Sequence, residues 1–281
     1  GYGTRELIEA PREQMATISF THLFGGKTHP VAVKLADRLA AMVPVKDARL
    51  FFGNSGSDAN DTHMKLLRYY ADISGRPERH KIITRERAYH GVTLAAGSLT
   101  SLPVNAAHFN PPLEALGILR TDAPHYYRGA LPGESEAEFV DRITGNLEQL
   151  ILDEGPETIA AFLAEPVTGA SGVIVPPEGY YPRVQAVLEK YGILFIADEV
   201  ICGFGRTGNW FGSQTLDLQP DIMTIAKGLS SGYQPIGGSI VSARIAKVLA
   251  EDEFNHGYTY SGHPVAAAVA LENLRILEEE K

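Results

Sequence analysis

The sequence predicts an α/β protein with a mostly parallel central sheet flanked by helices on both faces. Two observations carry that prediction. Strand-like apolar runs alternate with amphipathic helical stretches along the chain, the pattern of crossover units that build parallel sheets. Two of the apolar runs also end in a charged side chain. Residues 193–197 lead into Asp198, and residues 220–226 lead into Lys227. Open α/β sheets gather ligands at the carboxyl ends of their strands, so these two charges mark the expected site.

Taken in order, residues 31–43 are amphipathic at helical spacing. Residues 49–52 read as a short strand, 58–74 as a helix and 81–83 as a strand. Residues 103–132 hold several prolines and little periodicity. They are expected to form a long loop, of the kind that often carries function. A helix over 136–152, a strand over 159–163 and a helix over 182–191 lead to the Asp198 strand. The Lys227 strand follows, then a strand over 238–241, then helices. No internal repeat or low-complexity tract interrupts this order. The expected organisation is an N-terminal segment (1–45), a core (46–264) and the start of a further helix (265–281). The chain opens at Gly1 without methionine and closes inside a helical pattern. Both ends read as cut, and the sequence as a segment of a longer protein.

The 281 residues suffice for one large domain or two small ones. With 44% hydrophobic and 21% charged residues, the composition is that of a soluble globular protein. A net charge of −9 disfavours nucleic acid and anionic membrane surfaces as partners. No apolar run is long enough to span a membrane. The single cysteine, Cys202, excludes an intrachain disulfide and fits a reducing compartment, with the cytoplasm as the expected location. Asn60-Asp61-Thr62 matches a glycosylation sequon, although nothing else points to secretion.

Several constellations bear on chemistry. Residues 53–60 (Gly-Asn-Ser-Gly-Ser-Asp-Ala-Asn) follow a strand and open a helix. A glycine such as Gly56 lets backbone amides approach an anion, and the helix N-terminus adds partial positive charge. Ser57 can add its hydroxyl. The stretch reads as a phosphate cradle, or as a turn with a serine or aspartate N-cap. Tyr89 and His90 lie after the next strand, where an aromatic ring can stack on a flat cofactor; the other reading is a surface tyrosine beside a core histidine. Glu165 ends a strand and is held extended by Pro166, to line a pocket or to be a loop charge. Asp198 sits at the core edge, where a carboxylate is costly unless paired. Its partner is either a protonated pyridine nitrogen, with Val200 against the ring, or an arginine such as Arg206. Lys227, placed near the core and followed by a glycine-rich loop, suits a Schiff-base nucleophile or a snorkelling lysine. Thr259, ahead of the last helix, can donate to a phosphate; the same stretch suits an ordinary helix start with Pro264 in the first turn. A Schiff-base lysine with an aspartate on a ring nitrogen is what pyridoxal phosphate chemistry needs. The nine histidines do not cluster at metal-ligand spacing, so no metal is expected.

The ordered set N-S-G-S-D-A-N-D, Y-H-G, A-D-E-V-I-C-G-F-G-R-T-G, A-K-G-L-S-S-G-Y-x-P-I-G and T-Y-S-G-H-P spans the chain. Together these motifs resemble the class III pyridoxal-phosphate aminotransferases of fold type I, and look most like the ω-amino acid or amine:pyruvate branch. The resemblance implies pyridoxal 5'-phosphate as cofactor, bound by Lys227 as a Schiff base, with Lys227 then moving the 1,3-proton. It implies Asp198 on the pyridinium nitrogen, Tyr89 and Val200 on the two ring faces, and Gly56 and Ser57 on the phosphate. Glu165 would line the site near the cofactor hydroxyl, and His90 would stand beside the stacking tyrosine. Thr259 would reach the phosphate of the partner subunit, making the enzyme a homodimer with shared sites. Asp58 stands where the family commonly has glutamate. Relative to the family, an N-terminal segment and a C-terminal small domain, which shape the substrate pocket, are missing from this chain. The implied reaction moves an amino group from a primary amine or ω-amino acid to a keto acid, pyruvate being the expected acceptor. Alternatives are an aminomutase or decarboxylase with the same cofactor, a cofactor-free Schiff-base lysine enzyme, and a homologue that binds ligand without turnover.

Overall fold

The computed structural model describes residues 2–280; Gly1 and Lys281, which the sequence reading includes at the two ends, lie outside the described residues. The elements run α1 (Arg5–Thr17), α2 (Pro30–Met42), β1 (Arg49–Gly53), α3 (Gly56–Ile73), β2 (Lys81–Arg85) and α4 (Leu94–Leu99). Then come α5 (Pro103–Ala106), α6 (Leu113–Leu116), β3 (Ile118–Thr121), α7 (Tyr126–Gly129), α8 (Glu136–Glu154) and β4 (Ile159–Ala164). The chain continues through α9 (Tyr180–Tyr191), β5 (Leu194–Asp198), α10 (Gly212–Thr215), β6 (Ile222–Ile225), β7 (Gly237–Val241), α11 (Ala243–Leu249) and α12 (Pro264–Glu280).

The strands form one sheet in the order β1-β7-β6-β5-β4-β2-β3. The run from β3 to β6 is parallel, while β7 is antiparallel to both β6 and β1. The predicted mostly parallel sheet is therefore present, with its antiparallel pairs gathered at one edge. Side chains alternate between the two faces of each strand. On β5, Leu194 and Ile196 pack with Met64, Leu67 and Ile245 of α3 and α11. Phe195 packs instead with Phe139 of α8 and Val184 of α9. Toward the antiparallel edge, Met223 and Ile225 join Leu35 and Leu39 of α2 and Ala267 and Ala270 of α12. This parity decides where Asp198 points. It shares the face of Leu194 and Ile196, so its carboxylate turns toward α3.

Local signals set the element ends. α8 begins at a capping box between Ser135 and Glu138, a device that stabilises a helix start by about 1 kcal/mol. α9 stops at Gly192, whose φ of 61° is open to glycine without steric cost. α3 begins two residues earlier than the sequence suggests, because Ser55 rather than a later residue caps it. Two features depart from expectation. α1 was not anticipated: it carries Pro11, is polar overall and buries only Leu7. Residues 103–132 are not a continuous loop but hold three short helices and the edge strand β3. Four residues of strand are too few to show a period in sequence. Among the described residues, no helix is long and apolar enough to cross a membrane.

Candidate active site

β5 and β6 are parallel neighbours, with Asp198 in register with Thr224. β5 ends at Asp198 and β6 at Ile225. Lys227 follows in a 3-10 turn, Lys227–Leu229. Both charged side chains therefore leave the sheet at the same end, on adjacent strands, and both line one cavity of about 330 Å³. Lys227 has φ of 41°. A non-glycine residue held there stores on the order of 1–3 kcal/mol, a cost that folds concentrate at working sites. The sequence places Lys227 near the core, but the strand stops before it and the side chain stands exposed in the cavity mouth. Its amine makes no hydrogen bond or ion pair among the described residues.

Asp198 is only 3% exposed. Its Oδ2 accepts from His90 Nδ1 at 2.8 Å and from Asn60 Nδ2 at 3.1 Å. Among the described residues, its Oδ1 accepts only the Val200 amide, at 3.2 Å. Arg206 is exposed and takes no part, which removes the arginine ion pair as an explanation of Asp198. His90 is buried, and its Nε2 has no partner among the described residues. Asn60, first residue of the sequon, is 1% exposed within this network. It is therefore no glycan acceptor.

The cradle forms as its residue types dictate. Ser55 Oγ accepts from the Asp58 amide, while the Asp58 carboxylate accepts from the amides of Ser55 and Asn54. This capping box leaves Gly56 and Ser57 as the first two residues of α3, where amides have no acceptor within a helix. Of the two sequence readings of this stretch, the turn with a serine N-cap is present. The serine cap builds the turn, and the turn presents two amides and the partial positive charge of an 18-residue helix to the cavity. Ser57 Oγ also accepts the Val92 amide at 3.2 Å.

Tyr89 lines the cavity, and its backbone is held there by Glu165, whose Oε1 accepts the Tyr89 amide at 3.1 Å. Glu165 Oε2 accepts the Gly169 amide at 2.8 Å. Burial pushes the Glu165 carboxyl above its ordinary range, with His90 opposing and Asp198 adding to the rise. The Glu165 carbonyl takes donors from Arg85 and Tyr181, both fully buried behind it. The sequence reading overlooked Asn60 and Arg85. It overlooked also Gln234, Pro235 and Ile236, which line the cavity beside Ser55 and Gly56. Gly237 shows how close that approach is: a Cβ there would stand 2.4 Å from the Ser55 carbonyl oxygen.

Neighbouring groups have other duties. Glu199 accepts from the amides of Gly212 and Ser213 and from the Ser213 hydroxyl, so it anchors α10 and not the cavity. Burial pushes the Cys202 thiol up to about 12; it bonds the backbone of Val167 and is no nucleophile. Thr259 is exposed and lies outside the cavity of its own chain. No group of metal-ligating side chains is found among the described residues.

A parallel sheet with a lysine and an aspartate on adjacent strand ends, beside a helix-terminal anion cradle, defines the large domain of a fold-type-I pyridoxal-phosphate protein. The profile of the class-III aminotransferases matches residues 1–281, and the chain belongs to that family, whose members use pyridoxal 5'-phosphate. It is 53% identical over 279 residues to gamma aminobutyrate transaminase 1, mitochondrial, of Solanum lycopersicum, covering 97% of this chain and 54% of that one. It is 50% identical over 287 residues to vanillin aminotransferase of Capsicum frutescens, covering 99% and 62%. Among solved structures, the ω-transaminase of Pseudomonas jessenii in complex with PMP superposes with a TM-score of 0.97 at 52% identity, over all of this chain and 62% of that one. The chain thus spans roughly three-fifths of the length of these relatives.

Proposed function

We propose that the full-length protein is a transaminase that moves an amino group from a primary amine or ω-amino acid to a keto acid, pyruvate first among them. The observation that carries this reading is the shared cavity of Lys227, Asp198 and the free amides of Gly56 and Ser57. The names of the relatives support an ω-amino acid or amine donor. The residues present fit pyridoxal 5'-phosphate. The cradle suits its phosphate, Asp198 Oδ1 has capacity left for a ring N–H, Lys227 has an unpaired amine, and Tyr89 and Val200 offer walls to a flat ring. Bound there, the cofactor supplies an electron sink for charge that develops on the substrate α-carbon.

The chain's own residues supply the rest. Lys227 Nζ would take the proton from the substrate α-carbon and deliver it on the cofactor side of the 1,3-shift, the general acid–base role of a positioned amine. Asp198 holds the ring nitrogen protonated through charge and hydrogen bonding. Glu165 keeps the Tyr89 backbone in place. Residues 46–264 form the cofactor-binding core, and α12 leads from it toward the remainder of the protein. Exposed Thr259 serves the phosphate of a partner subunit, so the active protein is a homodimer.

The test is the visible absorption spectrum of the full-length protein with pyridoxal 5'-phosphate. A band that an amine alone bleaches and pyruvate restores is the expected result. Product formation without any keto acid would point to an aminomutase or decarboxylase. The reading fails outright if no visible band forms.

A further inference from the structure

Resting on the reading just given, we propose that Asn60, oriented by Thr224 and His63, is a positioning residue that directs Asp198 toward the cofactor ring nitrogen. The hydrogen-bond directions in this buried cluster follow from which atoms carry protons. Thr224 Oγ1 donates to Asn60 Oδ1 at 2.8 Å. That fixes the Asn60 amide, whose Nδ2 then faces the His90 carbonyl at 2.7 Å and Asp198 Oδ2 at 3.1 Å. The flipped amide would set an oxygen against two acceptors and leave Thr224 facing a donor. The Thr224 hydroxyl has one proton, already committed to Asn60. The contact of His63 Nδ1 with Thr224 Oγ1 at 3.3 Å therefore runs from the imidazole to the hydroxyl. His63 carries its proton on Nδ1, and its buried Nε2 has no partner among the described residues.

The result is a one-way relay: His63 donates to Thr224, Thr224 to Asn60, and Asn60 to Asp198. His63, Thr224, Asn60 and Asp198 are each 3% exposed or less. Burial pushes the His63 imidazole down to about 4, with Asp198 pulling the other way, so the relay starts from a neutral ring at neutral pH. Aligned donors in a dry site polarise one another, and donors aimed at a carboxylate favour its charged form. Asn60 and His90 both load Oδ2, whereas Oδ1 keeps only the Val200 amide. The relay thus assigns one oxygen to the scaffold and frees the other for the ring. Without it, the proton shared by Asp198 and the ring nitrogen shifts toward the carboxylate.

The experiment loads the full-length protein with cofactor labelled at the ring nitrogen and reads the 15N chemical shift, alongside the cofactor dissociation constant. Asn60→Leu and Thr224→Val are expected to move the shift toward the unprotonated value, and Thr224→Ser to restore it. Asn60→Leu is expected to raise the dissociation constant about tenfold in the otherwise native protein, and less than twofold when Asp198→Asn is already present. An unmoved 15N shift in both Asn60→Leu and Thr224→Val, with cofactor bound, overturns the proposal alone. An equal effect of Asn60→Leu in both backgrounds does the same, because it would show a merely structural role. If Asn60→Leu does not fold, Thr224→Val against Thr224→Ser decides the matter. Failure of the native protein to bind the cofactor sinks the transaminase reading and this proposal together.

Discussion

Gly56 and Val200 touch with no space between them: a Cβ on residue 56 would stand 2.7 Å from Val200 Cγ2. The first turn of α3 and the residue two past the end of β5 are thereby locked together. The anion cradle and the apolar wall are one packed unit.

That contact makes an unusual substitution informative. Alanine favours a helix over glycine by about 1 kcal/mol in the interior of the helix, so Gly56→Ala ought to be benign for α3 itself. The clash with Val200 opposes it, at about 1–3 kcal/mol for an overpacked site. Gly56→Ala is therefore expected to raise the cofactor dissociation constant about tenfold, and adding Val200→Ala to cost less than the sum of the two single substitutions, because it relieves the clash while stripping the ring wall. Cofactor titrations of the single and double variants check this. Unchanged binding in Gly56→Ala would show that the cradle does not depend on the wall.

Lys227 and Asp198 are separable by substitution. Lys227→Ala removes the only unpaired amine in the cavity among the described residues, and with it the proton carrier, so transamination is expected to vanish. Near-native turnover in that variant would remove Lys227 from the reaction.

Asp198→Asn keeps the shape and loses the charge. Cofactor is expected to stay bound while turnover falls by on the order of 10²–10³-fold, the usual effect of deleting one well-placed electrostatic group. Single-turnover rates measured with an amine alone read the effect directly, and an unchanged rate would detach Asp198 from the ring nitrogen.

The sheet and most of the site were legible because strand ends announce themselves. An apolar run that stops at Asp198 or just before Lys227 needs no partner sequence to be read, and parity along β5 then sends Asp198 toward α3. Asn60 was not legible. It is one polar residue on a helix whose buried face also holds Thr62 and His63, and nothing local tells a relay asparagine from a surface one. Its role depends on Thr224 and Asp198, more than 130 residues away along the chain. Arg206, near Asp198 in sequence, is exposed and does not pair with it for the same reason: proximity along the chain says nothing about the far side of the sheet.

His63 gives a pH signature of the fold. Its imidazole is pushed down to about 4 by burial, against roughly 6.5 in an unfolded chain. Between those values the unfolded chain binds a proton that the native state refuses. Stability is then full above about pH 6.5 and falls as pH drops toward 4, by on the order of 3 kcal/mol from this residue. Denaturant midpoints measured from pH 7 to pH 4 are expected to fall less steeply in His63→Phe, which cannot titrate. Parallel slopes in the two proteins would mean that His63 is protonated within the fold.

Thr259 tests the dimer. It is exposed in its own chain, yet its neighbour Tyr258 is pinned, donating to the Asp58 carbonyl at 3.0 Å and contacting Thr62 at 3.2 Å. This turn, held to the cradle helix with its threonine exposed, is where the proposed partner contact would lie. Thr259→Ala is expected to speed cofactor loss several-fold, on the scale of one charge-assisted hydrogen bond. Mixed dimers locate the contact. When one subunit carries Lys227→Ala and the other Thr259→Ala, a partner-subunit contact predicts native-like, slow cofactor loss from the site that keeps Lys227, because the opposite chain still carries Thr259; with both substitutions in one subunit beside a native one, it predicts fast loss from the native subunit's site. If the loss instead follows the Thr259→Ala substitution within the same chain, the threonine acts at its own site and the shared-site dimer is wrong.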